Sequence, residues 1–415
     1  NMSVAVTWRV DPGPLSAFGK VTVDGNEDVP ADVILNSTAF ESGDTFQQHL
    51  LGRTQDWIYG LGAFRIVTVS ATLDSARSRR VPVRIQVEES PRWSTEFGVG
   101  YGREEEFRAH NKSRFIGFLG EVRRLELLVR HSALEPYHVD ITWLQPAFLT
   151  PRTSAALSPF VRRQTEPGFT LNRLGGDIEL RHQFNRDLDA SIRYVYEQVD
   201  LEEQSVAVEE ISAPDLEGLY TKSSLIFGAT RDNSQPLFSP NRGAQLTSTW
   251  KLSGLDLGSA YHFTSILLEG RLYREVFGVV LATRLKTGAI ESFDGSGFVP
   301  VEDRFFAGGS QSIRGWARSQ LGPMSGGKPL GGNGLVETSV ELRFPLVWKI
   351  GGAVFMDAGN VWRQFEYVSI GELRYSPGVG LRYTTPIGPI RFDAARPVWD
   401  TESTWQFHIS VGESF

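Results

Sequence analysis

The stretch from Trp405 to the terminal Phe415 constrains the fold more than any other part of the chain. Trp405, Phe407, Ile409, Val411 and Phe415 fall on one face, and Gln406, His408, Ser410, Gly412 and Ser414 on the other, with Glu413 the single break. That period of two is the signature of a strand. A water-soluble domain manages an apolar strand edge badly, because unpaired backbone groups beside large side chains template aggregation. A strand with lipid on one side and a polar lumen on the other uses such alternation from end to end.

The 415 residues contain no stretch of about 18 uncharged apolar residues that could cross a bilayer as a helix. The mean hydropathy of -0.20 looks soluble, but a transmembrane barrel gives the same value because each lipid-facing residue is diluted by a lumen-facing polar one. The absence of cysteine fits an oxidising compartment. A formal charge of -7 offers no nucleic-acid footprint, so none is expected as a partner. No leader-like segment opens the sequence at Asn1, and the chain reads as processed or excised.

Texture changes at Glu88-Glu89-Ser90-Pro91-Arg92. Residues 11–91 read as a small α+β domain. Phe18 to Val23 is a strand running into the turn Asp24-Gly25-Asn26, and Pro30 to Ser37 a short helix. A longer helix is expected from Asp44 as N-cap, with Gln47 three residues on, carrying Phe46, Leu50, Trp57, Ile58 and Leu61 and stopping at Gly60-Leu61-Gly62. Two strands follow, Phe64 to Leu73 and Val81 to Glu88. Residues 1–10 stand apart. Val4 to Val10 reads as the closing strand of a preceding domain, cut off by the breaker Asp11-Pro12-Gly13-Pro14.

From residue 92 to 415 the sequence shows strand-like runs separated by polar or glycine-rich connections. Examples are Val139 to Leu144, Ile178 to Phe184, Ala190 to Val195, Gln245 to Leu252, Leu335 to Phe344 and Val379 to Tyr383. At about 20 residues per strand and connection, this region predicts roughly 16 strands. The fold class is mainly β: a transmembrane antiparallel barrel preceded by the small α+β domain. Residues 294–334 are too long and glycine-rich for a hairpin turn, a length that marks function or disorder.

Within that loop lies Ser312-Ile313-Arg314-Gly315-Trp316. An arginine folded back into a barrel needs a carboxylate. Candidates are Glu341, on a polar strand face with Glu337, Ser339 and Arg343, and Asp357 in Phe355-Met356-Asp357-Ala358-Gly359-Asn360. A solvated loop arginine is the plain alternative. No H-E-x-x-H or G-x-S-x-G occurs and the seven histidines are scattered, so no enzyme chemistry, metal or cofactor is expected. Gly322 to Lys328 has the spacing of a phosphate-binding loop, but Pro329 replaces the hydroxyl residue that would hold magnesium.

The segments SIRGW, VELRFPL, FMDAGNVW, GVGLRYTTPIGPIRFD and FHISVGESF, in this order, resemble the successive motifs of the bacterial outer-membrane assembly and translocation superfamily. The front domain resembles its polypeptide-transport-associated (POTRA) repeat. VDPGPLSAFGKVTVDGN leans toward the translocation and assembly module branch. Trp316 stands where the family usually has phenylalanine or tyrosine.

The resemblance implies that Arg314 is a lumen-inserted arginine paired with Glu341 or Asp357. It also implies a seam where the first and last barrel strands meet: Phe97, Gly98, Val99, Gly100, Tyr101 and Gly102 on one side, Phe407, Ile409, Val411, Gly412 and Phe415 on the other. Three glycines on one face weaken the first strand. Such a seam, in the bacterial outer membrane with the front domain in the periplasm, would template unfolded barrel or autotransporter clients by backbone pairing. Outer-membrane lipid and an accessory periplasmic or inner-membrane subunit are the other implied partners. A two-partner secretion pore exporting one soluble protein, and a passive diffusion porin, are the competing readings.

Overall fold

A computed structural model describes residues 15–72, 79–204, 218–254, 258–293, 298–385, 388–399 and 404–411. The strand expected at Val4 to Val10 and the breaker at Asp11 to Pro14, on which the branch assignment leaned, lie outside the described residues. The chain divides into two compact units.

The first unit gathers residues up to Ser94 with Arg114–Leu125 and Leu144–Ser154. It contains strand β1 (Ala17–Asp24), helices α1 (Ala31–Leu35) and α2 (Gln48–Gly60), and strands β2 (Phe64–Ala71) and β3 (Arg80–Glu89). These follow the expected order of strand, helix, helix, strand, strand. The sheet runs β1-β3-β2, with β1 parallel and β2 antiparallel to β3. Val81, Val83, Ile85 and Val87 alternate inward along β3, the pattern of a half-buried strand. They meet Phe18, Ile34, Ile58 and Leu61, all fully buried.

One expectation is corrected here. The N-cap of α2 is Gln47, not Asp44. Residues 44 to 46 are bonded to the start of β1, through Phe18 N–H to Asp44 O (2.8 Å) and Phe46 N–H to Ser16 O (2.8 Å). Pairing with a neighbouring strand overrides the local capping signal, and the Asp44 carboxylate instead accepts the Glu41 N–H at 2.9 Å.

The second unit holds most of a sixteen-stranded sheet that curls into a nearly closed antiparallel barrel. Its strands are β4 (Trp93–Gly102), β5 (Glu106–Ile116), β6 (Arg124–His131), β7 (His138–Gln145), β8 (Thr153–Glu166), β9 (Phe169–Gln183), β10 (Leu188–Gln204), β11 (Gly218–Asp232), β12 (Arg242–Ser253), β13 (Phe263–Val276) and β14 (Val279–Ser292). After a long connection come β17 (Gly334–Val347), β18 (Ile350–Trp362), β19 (Arg374–Thr385), β20 (Gly388–Ala395) and β21 (Gln406–Val411). Two short strands, β15 (Met324–Ser325) and β16 (Lys328–Pro329), pair within that connection. Each barrel strand neighbours the next in sequence, and β4 and β21 are the two edges of the sheet.

The alternation read from sequence sorts the faces. Along β17, Val340 and Leu342 point outward, while Glu337, Ser339, Glu341 and Arg343 are buried on the inner face. Phe407 and Ile409 likewise face out on β21 and His408 faces in. The lumen is therefore a polar, charged interior wrapped in an apolar skin.

Candidate functional site

The connection from β14 to β17 folds back against the inner wall. Gly308 and Gly309 adopt φ values of 103° and 110°, a region closed to most side chains, and start a tight turn. Gly309 N–H donates to Trp316 O at 2.9 Å and Gly308 N–H to Ser312 Oγ at 2.9 Å, so Ser312 to Trp316 closes on itself. Ile313 and Trp316 pack with Ala307, Leu321, Leu335 and Val361. That apolar footing aims the intervening residue, Arg314, at the charged wall.

Arg314 is 1% exposed. Its Nε and Nη2 donate to the two carboxylate oxygens of Asp357, each at 2.8 Å, and its Nη1 to Glu341 at 2.7 Å. The Arg314 backbone N–H adds a bond to Asp357 at 3.1 Å, and Nη2 reaches Ser339 Oγ at 3.3 Å. The guanidinium carbon lies 3.2 Å from the Phe355 ring centroid. Sequence reasoning offered Glu341 or Asp357; the structure brings both to Arg314.

It also brings groups that reasoning missed. Asp393 on β20 lies 3.5 Å from Arg314 and 2.5 Å from Arg382. Glu341 also accepts Arg343 at 2.8 Å and Arg382 at 3.2 Å. Such paired, multiply bonded charges are the condition under which burial is tolerated. Burial disfavours the Arg314 cation, but Asp357 and Glu341 outweigh it and hold its pKa above the ordinary arginine value.

A second anchor at the start of the same loop was also missed. The turn Val301–Asp303 places Glu302 and Asp303 against β11 and β12. Lys222 Nζ donates to both carboxylates at 2.8 Å, Lys251 to Asp303 at 2.5 Å, and the Tyr220 hydroxyl to Glu302 at 2.6 Å. Burial works to raise the Asp303 pKa, but Lys222 and Lys251 hold it well below the usual carboxylate range. A lysine at strand period two among polar neighbours carries no sequence signal for a partner about 80 residues away.

The residues expected at a seam lie, where described, on the two edge strands. Phe97, Val99 and Tyr101 point outward on β4, as do Phe407, Ile409 and Val411 on β21. A Cβ at Gly98 would meet the His110 ring at 2.0 Å, and one at Gly100 the Arg108 Nε at 2.7 Å. These glycines let β5 side chains lie across the inner face of β4. Gly412 and Phe415 lie outside the described residues. Glu104, in the turn after β4, accepts the Ser310 N–H at 2.8 Å. Beside it a polar cavity of about 520 Å³ is lined in part by Tyr101, Arg103, Arg108, Glu166, Arg271 and Ser410.

Among the described residues no cluster of His, Asp and Glu is placed to hold a metal. The Gly322 to Lys328 segment carries the β15–β16 pair within a barrel loop rather than a strand-to-helix turn, so its phosphate-loop spacing is accidental.

The sequence pattern of the Omp85 superfamily domain matches residues 118–415. The chain belongs to the Omp85 superfamily. An outer membrane protein assembly factor BamA from Nitratidesulfovibrio vulgaris is 23% identical over 99% of this chain and 53% of its own length. A SAM50-like protein of Schizosaccharomyces pombe is 25% identical over 85% of the chain and 79% of its own length. This Omp85 chain spans about half the length of the BamA relatives it matches, 53% and 54%. Among solved structures, BamA from Haemophilus ducreyi lacking POTRA domains 1–3 has the same fold, with a TM-score of 0.77, 20% identity and coverage of 97% of this chain and 85% of that one. CdiB from Acinetobacter baumannii shares the fold at a TM-score of 0.58 and 14% identity, over 96% of this chain and 74% of that one. The molecule is a sixteen-stranded β-barrel of that superfamily.

Proposed function

We propose that this Omp85 member inserts or translocates other outer-membrane proteins, β-barrel or autotransporter chains, at the seam between β4 and β21. The observation that carries this reading is the sheet itself. Sixteen strands run in unbroken neighbour order, and no backbone ladder joins β4 to β21 among the described residues. An unsatisfied strand edge lends affinity to any extended client through main-chain hydrogen bonds, without demanding a sequence. Glycines at 98, 100 and 102 leave the second half of the inner face of β4 without side chains of its own.

The lumen loop supplies the rigid part. With Arg314 bound to β17 and β18, and Glu302 and Asp303 bound to β11 and β12, the loop braces the wall from inside while the seam strands exchange partners. The same loop occupies lumen space that a passive porin would need open. The front α+β domain is read as a POTRA domain in the periplasm, delivering clients or docking an accessory subunit. No nucleotide, metal or cofactor enters the mechanism.

The test is reconstitution. Proteoliposomes holding the full chain should accelerate folding of a urea-unfolded barrel client, read as heat-modifiable gel mobility, over protein-free liposomes of the same lipid. No acceleration, combined with steady solute conductance, would favour the porin. Export of one soluble partner alone would favour the secretion pore.

A further inference from the structure

Among the described residues no backbone ladder joins β4 to β21. The side chains reaching across between them converge on the lumen loop. Arg103, just after β4, donates from Nη1 to the Phe407 carbonyl of β21 at 3.1 Å. The next residue, Glu104, accepts the Ser310 N–H of the loop at 2.8 Å, lies 3.6 Å from Arg318 of the same loop, and faces His408 Nδ1 of β21 at 3.5 Å. The other ring nitrogen of His408, Nε2, is 2.8 Å from the backbone carbonyl oxygen of Arg314. Arg391 on β20 donates to the Ser310 carbonyl at 3.0 Å and to Ser410 on β21 at 2.8 Å.

His408 is 4% exposed, and the Glu104 side chain 18%. Neither is a surface group that falls into contact by chance. One imidazole touches the arginine that anchors the loop and the carboxylate that ends the first strand. Glu104 meets the loop twice.

We propose that Glu104 and His408 are the positioning residues of a side-chain latch: they hold the two seam edges by clamping both to the lumen loop, in place of a backbone ladder. A latch made of a few side-chain contacts opens without unzipping a strand pair, and it ties opening to the seat of Arg314. This inference rests on the seam being the working site, and it names what controls that site.

The chain has no cysteine, so a pair at Val99→Cys and Ile409→Cys, both outward-facing, can be labelled with nitroxides and read by pulsed dipolar spectroscopy in liposomes. The otherwise unaltered latch should give one narrow distance. Glu104→Ala and His408→Ala should each raise the longer-distance population at least about threefold, and the double variant no further, because both break one relay. Glu104→Gln, which keeps an acceptor for Ser310, should fall between. Glu105→Ala, in the same turn but paired with Arg108, should leave the distribution unchanged. Heat-modifiable mobility checks that each barrel has folded. Unchanged distances in folded Glu104→Ala and His408→Ala would overturn the latch, even if the unaltered protein assembles clients. A shifted distance in a protein that assembles nothing would uphold the latch and overturn the proposed function.

Discussion

Arg314 concentrates the site's energetics in one side chain. Removing one partner of a buried pair costs about 3 to 5 kcal/mol, less where water reaches the lumen, because the opposite charges remain. Here Arg314→Ala would leave Asp357 with no other cation among the contacts described, while Glu341 and Asp393 keep Arg343, Arg382 and Arg391. The expected outcome is an expressed, inserted barrel with client assembly reduced more than its abundance, measured by outer-membrane fractionation beside an assembly assay. Wild-type assembly would refute the bracing role. Arg314→Lys should be nearly as defective, since an ammonium cannot span both Asp357 oxygens and Glu341 at once. The neighbouring Gly315 makes a second residue-scale prediction. A Cβ there would sit 2.3 Å from Ser376 Oγ and 2.7 Å from its Cβ. Gly315→Ala should therefore destabilise by about 1 to 3 kcal/mol in urea unfolding. Adding Ser376→Gly should restore part of that loss.

At the scale of elements, the loop between β14 and β17 is a strut with two feet. Lys222→Ala removes the main cation from Glu302 and Asp303 and should expose the loop's own Arg304, Arg314 and Arg318 to trypsin several-fold faster than in the parent. An unchanged cleavage pattern would show that the second foot does not hold the loop. Acid should act on the Asp303 foot of the loop and on Glu104 in the turn after β4. Burial works to raise the Glu104 carboxyl, but His408, the Ser310 N–H and Arg318 outweigh it, and its pKa is lowered, as is that of Asp303. A carboxyl depressed on folding contributes stability that is complete above its unfolded value and is lost as pH falls through the folded value. Protection of the loop from protease should thus be lost as pH falls below the ordinary carboxylate range. Protection that survives well below that range would contradict these assignments.

The same scale shows what a sequence carries. Strand identity was legible because lipid and lumen impose period two on nearly every strand, so Val379 to Tyr383 or Gln245 to Leu252 announce themselves. The α2 cap was not, because residues 44 to 46 answer to β1 rather than to the helix. Arg314 could be matched to Glu341 and Asp357 by family motif. Asp393, His408, Glu104 and the Lys222 cluster could not, since their partners are set by how far apart strands stand around the curled sheet.

For the whole molecule, the arrangement separates a braced wall from the edge that the proposed function requires to open. Charged pairs inside tie the loop to β11, β12, β17 and β18, while the two sheet edges meet through side chains alone among the described residues. A closed barrel with no edge would be more stable and unable to offer a strand to a client. The most direct test of assembly at the seam is photocrosslinking in cells from a probe at Val99, on the outward face of β4, with captured proteins identified by mass spectrometry. Partly folded β-barrel or autotransporter chains should be trapped there; capture of a single secreted soluble protein, or of no protein at all, would rule out client assembly at the seam.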